Sequence, residues 1–154
     1  MKYLGVKIVD AELMNLGDYN NFRGWPIPAN EDPDAEGYKV VYQDGYVSWC
    51  PKKQFEEANR PINGLTFGLA IEALKKGYRV ARSGWNDKGM FVVYQRGYPQ
   101  GISCNKQTAE AWGMKEGDLF VCNPYLQIKN VDGSHSMWVA SINDILSEDW
   151  MIIE

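Results

Sequence analysis

Between Leu65 and Met90 the chain reads LTFGLAIEALKKGYRVARSGWNDKGM, and this stretch gathers side chains suited to holding a nucleotide-like molecule. Trp85 offers a flat face on which a base can stack, a contact that typically contributes ~1–3 kcal/mol. Arg79, Arg82 and Lys88 carry positive charge, and an arginine grips a phosphate through two parallel hydrogen bonds. Asn86 can read a base edge or a ribose hydroxyl, while Gly84 and Gly89 let a ligand approach the backbone. Arg79 and Arg82 are three residues apart, so a regular strand sends them to opposite faces; Arg82, nearer the turn, is the one expected at the ligand. Each feature also has a plainer reading. Trp85 can fold back on a core, and the cations can form a solvated face.

No catalytic set accompanies these groups. Asp144, Glu148 and Asp149 can be assembled into paired carboxylates, but twenty acidic residues make such a triplet expected by chance, and no histidine supports a metal there. His135 is the single histidine and lies in the turn Asp132-Gly133-Ser134-His135, a poor setting for activating a thiol. Cys50, Cys104 and Cys122 are odd in number and lack CxxC spacing, which fits reduced thiols and suggests neither a disulfide framework nor a zinc site. The Gly84–Gly89 spacing lacks the GxxxxGK[ST] ending of a phosphate loop. The expectation is capture without turnover: no catalytic residue, no metal, no cofactor.

These groups must be positioned by short elements. Hydrophobic residues at 45% and charged residues at 23% match a globular chain, and 154 residues make one domain or two small ones. Net charge of −4 argues against duplex nucleic acid as the main partner but leaves a local basic pocket free to hold a small anion. No segment approaches the ~20 apolar residues that span a bilayer, and no signal peptide is visible, so a cytoplasmic protein is expected. Lys2–Val9 alternates like a strand, Leu16–Phe22 suggests a helical turn with Asp18 as cap, and Trp25-Pro26-Ile27-Pro28 enforces an extended path. Tyr38–Tyr42 and Tyr46–Trp49 flank Asp44-Gly45 as a hairpin, Lys52–Asn59 forms a helix, and Arg60–Gly64 is the best linker. A new helix capped by Thr66 and stopped by Gly77 follows. Strands are expected at Tyr78–Ala81, Met90–Gln95, Leu119–Cys122, Tyr125–Lys129, Met137–Ala140 and Trp150–Ile153. Arg96–Gly101 reads as a loop, and helices are expected at Asn105–Trp112 and Ser141–Leu146. The fold class is α+β: an antiparallel sheet with short helices, as two small domains (1–60 and 64–154) or one domain with an N-terminal extension.

The segments 66–95 and 124–154 resemble the type-two Thoeris anti-defence family of phage proteins. The family pattern appears as Phe67-Gly68, Ala70–Lys75, Gly77, Val80–Arg82, Gly84–Asn86 and Lys88–Met90. It closes with Asp132-Gly133, Trp138, Ala140-Ser141, Asp144, Leu146 and Glu148–Trp150. The resemblance implies a homotetramer that binds and holds cyclic ADP-ribose isomers, and in some members cyclic dinucleotides, in the cytoplasm of the infected bacterium. Ligand-binding residues then fall at Arg82, Trp85, Asn86, Lys88, Met90, Tyr125, Trp138 and Asp144. Against this, Trp138 can simply seal a core and Asp144 can cap the last helix. The chain departs from the pattern between Tyr98 and Asn123, where Ser103–Asp118 reads as an insertion. Residues 1–60 separately resemble a small domain of N4-like and lambdoid phages through Phe22–Trp25, Glu36–Tyr38, Asp44–Trp49, Pro51-Lys52 and Phe55-Glu56; no activity is carried over from it. The alternatives are a hydrolase of the same signal and a single-stranded nucleic-acid module using the six Trp and nine Tyr.

Overall fold

The computed structural model describes the backbone of residues 1–154 and every side chain except those of 86–88. Contacts divide it into two compact units, Met1–Arg60 and Pro61–Glu154, each an antiparallel α+β arrangement.

The first unit runs β1 (Val9–Leu13), α1 (Leu16–Arg23), β2 (Gly37–Tyr42), β3 (Val47–Pro51) and α2 (Lys52–Ala58). Its sheet order is β1-β2-β3, with Val9 opposite Tyr42 and Val41 opposite Val47. The Asp44-Gly45 turn closes the β2–β3 hairpin, Gly45 taking φ of 85° where a side chain would strain the backbone. The first strand begins at Val9, not at Lys2, because β2 offers partners only as far as Tyr42; alternation without a partner makes no ladder. Asn15, not Asp18, caps α1: its side chain accepts the Asp18 amide at 2.7 Å, and Asp18 sits in the first turn where a negative charge favours the helix dipole. Val40 and Tyr19 are buried, and Phe55 of α2 stacks on Tyr38 with centroids 4.2 Å apart.

The second unit begins before its first helix. Leu65 bridges to Trp150, and the Ile62 carbonyl accepts the Ile152 amide at 2.9 Å, so the expected linker is in part structural. Then come α3 (Phe67–Lys75), β4 (Arg79–Arg82), a 3-10 turn (Ser83–Lys88), β5 (Phe91–Gln95), β6 (Tyr98–Ser103), α4 (Lys106–Trp112), β7 (Leu119–Cys122), β8 (Tyr125–Lys129), β9 (His135–Trp138), α5 (Ile142–Leu146) and β10 (Trp150–Ile153). Thr66 caps α3 by accepting the Leu69 amide, and Gly77 at φ of 96° ends it. Five strands form one sheet in the order β10-β4-β5-β8-β9. Ala70, Ala73 and Leu74 are the buried residues of α3, which packs on β4, β5 and β10, where Val80, Val92 and Ile152 are buried in turn.

Two expectations fail here. The segment expected as the loop Arg96–Gly101 carries β6, and β7 does not continue the main sheet but pairs with β6 as a separate ribbon. Pro99 is tolerated because a two-stranded ribbon has free edges. The Ser103–Asp118 segment is tied at its root: Cys104 donates its amide to Asp118 at 2.8 Å, and Gly117 donates back to Cys104 at 2.9 Å. Among the described residues no helix is long and apolar enough to cross a membrane.

Candidate functional site

Trp150 is the floor of the site. It is fully buried at the start of β10, and its indole N–H donates to the Asp144 carbonyl at 2.8 Å. Around it stand Trp85 at 5.4 Å, Phe67 at 5.5 Å and Trp138 at 5.9 Å, measured between ring centroids. Trp85 and Trp138 meet at 5.9 Å and nearly at right angles, the edge-to-face arrangement that aromatic quadrupoles favour. Trp138 and Trp150 belong to the two outer strands of a five-stranded sheet. A flat sheet holds such strands about 19 Å apart. The sheet therefore curls until its edges converge on one aromatic cluster. Trp85 and Trp138 remain half-buried, so each offers part of its surface outward.

A charged network flanks the cluster. Arg82 ends β4 directly opposite Trp150. Its guanidinium donates twice to the Asp149 carboxylate, at 2.9 and 3.3 Å, and once to Asp144 at 3.1 Å. Ser83 adds a hydroxyl bond to Asp149 at 2.9 Å. Asp144 also completes a capping box with Ser141, whose hydroxyl and amide both donate to its other oxygen. Burial pushes the Asp144 carboxyl up, but the Ser141 bonds and the Arg82 guanidinium outweigh it and hold it below the usual carboxylate range. Arg82, then Ser83, hold Asp149 low in the same way. Both carboxylates are thus acceptors, ionised at neutral pH.

The structure brings together Arg82, Trp85, Trp138 and Asp144. It places Arg82 between two aspartates rather than leaving it as an unpaired cation. Asn86 and Lys88 lie outside the described side chains. Met90 is half-buried just before β5. Tyr125 stands opposite Gln95, at the far end of β5 from Met90. It is also one residue out of phase with Leu126, the direct partner of Trp138, so it projects from the other face of the sheet. Sequence reasoning left Phe67, Asp149 and Trp150 out of the site. Their signal was present in spacing only after the sheet had curled.

Comparison with known proteins places residues 65–153 in the family described as Tad2-like: Thoeris anti-defense 2-like domain. The chain is also similar to Thoeris anti-defense 2 of Bacillus phage SP01, at 35% identity over 92 residues, which covers 58% of this chain and 94% of that protein.

Proposed function

Because this chain belongs to the Thoeris anti-defense 2-like family, a role in phage anti-defence follows, and we propose that it acts by binding and sequestering a cyclic nucleotide signal without degrading it. The observation that carries this reading is the half-exposed pair Trp85 and Trp138, braced from below by buried Trp150. Rings fixed in advance stack on a base without a further ordering cost. Asp144 and Asp149 support binding over hydrolysis, since both are held ionised, Asp144 by Ser141 and Arg82 and Asp149 by Arg82 and Ser83. An acid–base pair needs environments that push the two groups apart. The signal proposed is a cyclic ADP-ribose isomer or a cyclic dinucleotide.

The proposed assembly is a homotetramer in the host cytoplasm, with the ligand held where copies meet. Beside the aromatic cluster, Val139, Ile142 and Leu146 lie exposed on one short stretch of chain, an apolar surface that a second copy covers in this reading. Light scattering is expected to give four chains per particle; a monomer at micromolar concentration removes the interfacial site. Capture itself is tested by incubating protein with each messenger, denaturing it by heat, and analysing the supernatant. Intact messenger recovered in full is the expected result, and altered messenger establishes turnover instead.

A further inference from the structure

Residues 1–8 lead into β1 with the alternation of a strand, yet among the described residues no main-chain hydrogen bond holds them. Met1, Tyr3 and Leu4 are almost fully exposed, on a segment that carries Lys2 and Lys7 and no acidic residue. The root of this arm is held: Val6 and Ile8 are half-buried, and the Lys7 ammonium lies 5.3 Å over the Tyr42 ring. Beyond the root the arm is a strand without a partner. At the opposite edge of the same sheet, β3 borders a groove of about 400 Å³. Four consecutive residues, Tyr46–Trp49, line it; a strand's face presents only every second residue, so the groove runs along the β3 edge. Its other wall is one stripe of α1, from Leu16 to Arg23.

Tyr42 donates to the Tyr46 carbonyl, and inward and outward positions alternate along an antiparallel ladder, so Val47 and Trp49 turn their N–H and C=O groups away from β2. Of these, only the Val47 carbonyl meets a partner among the described residues: the Tyr19 hydroxyl, at 3.4 Å, which leaves its second lone pair unused. A groove between a strand edge and a helix is the geometry in which an extended peptide adds as a further strand. Charge favours a basic one. Glu31 lines the groove and forms no ion pair among the described residues, Asp32 and Asp34 follow it, and Arg23, which also lines it, is drawn over the Trp25 ring at 4.6 Å. We propose that the occupant is the arm of a second copy, whose residues Lys2–Gly5 add to the outer edge of β3. Lys2 and Leu4 share one face of the added strand and turn toward Glu31 and Trp25. A chain's own arm is too short for this. Two strand spacings, about 10 Å, separate β1 from β3, whereas residues 2–5 span about 13 Å fully extended, so the detour round the Gln43–Gly45 turn consumes them. Arm exchange involves residues 1–60 alone and is tested apart from messenger capture.

The test replaces Tyr3 of the full chain with the photoreactive residue p-benzoylphenylalanine, irradiates the protein at micromolar concentration, and maps the products by mass spectrometry after denaturing electrophoresis. The expected product joins two chains, position 3 of one attached within Tyr46–Trp49 or to the α1 stripe of the other. Leu4→Pro combined with Gly5→Pro removes the ladder N–H whichever of the two faces β3, and both positions are exposed, so the fold is kept. This pair is expected to reduce the product by about tenfold or more. Lys2→Glu is expected to reduce it about two- to fivefold, and Glu31→Lys to restore it in that background. The proposal is overturned if no product joins two chains, if attachment is confined to single chains, or if the two prolines leave the product unchanged. A product joining arm to arm overturns it too, in favour of pairing between the arms themselves.

Discussion

At Trp85, stacking on a ligand and packing on the protein draw on the same ring. Truncating a buried aromatic costs ~3–5 kcal/mol, but Trp85 is only half-buried, so Trp85→Ala is expected to lower stability by about 1–3 kcal/mol. Messenger affinity, measured well below the melting point, is expected to fall roughly five- to more than a hundredfold. Unchanged affinity in the folded variant would assign Trp85 to the cluster alone. Arg82 makes a second residue-scale prediction. Asp144 and Asp149 titrate below their ordinary value of 3.8 in the folded state, so their stabilisation is fully present above that value and is lost as pH falls through the lowered ones. Arg82→Met removes the main cause for Asp149 and a lesser one for Asp144, whose Ser141 bonds remain, at a cost of about 1–3 kcal/mol at pH 7. Denaturant melts from pH 7 to 2 are expected to show the variant's deficit shrinking below pH 4; a deficit that stays constant across that range removes the ion pairs as its source.

At the scale of elements, the chain spelled out what local chemistry decides and hid what distant partners decide. Thr66 before an amphipathic run, Gly77 after it, and Asp44-Gly45 between alternating segments each carry their geometry in their own side chains or lack of one. The site was half legible for the same reason. Trp85, Trp138 and Asp144 stood out by type, whereas the Arg82 pairs span 62 and 67 residues and have no local signature. Strand β6 was illegible because Gly97, Pro99 and Gly101 are loop residues everywhere except beside a waiting partner. Gly97 is there because β7 runs so close. At φ of 73°, any Cβ would collide with the Cys122 carbonyl and fall 2.7 Å from Pro124 N. Gly97→Ala is expected to cost at least about 2 kcal/mol locally. Hydrogen exchange then rises in Tyr98–Ser103 and Leu119–Cys122 while the five-stranded sheet keeps its protection. Equal loss in both would mean that ribbon and sheet unfold as one.

At the scale of the whole molecule, two units imply that one can be removed. Residues 61–154 are expected to fold alone and to keep the messenger affinity of the full chain, since their internal contacts form a unit of their own. The cut must fall before Pro61. A chain starting at Leu65 loses the Ile62 carbonyl that meets Ile152 and is expected to melt several degrees lower by circular dichroism. Equal melting points would show that bond to be idle. The same seam has a further meaning. Leu65 and Trp150 face each other across one sheet edge, and the family match begins and ends there, at residues 65 and 153. The unit is sewn shut where its two ends meet, so recombination can lift it out or splice it behind another module with breaks confined to a single border. Selection can then exchange whatever lies upstream while the aromatic cluster travels intact.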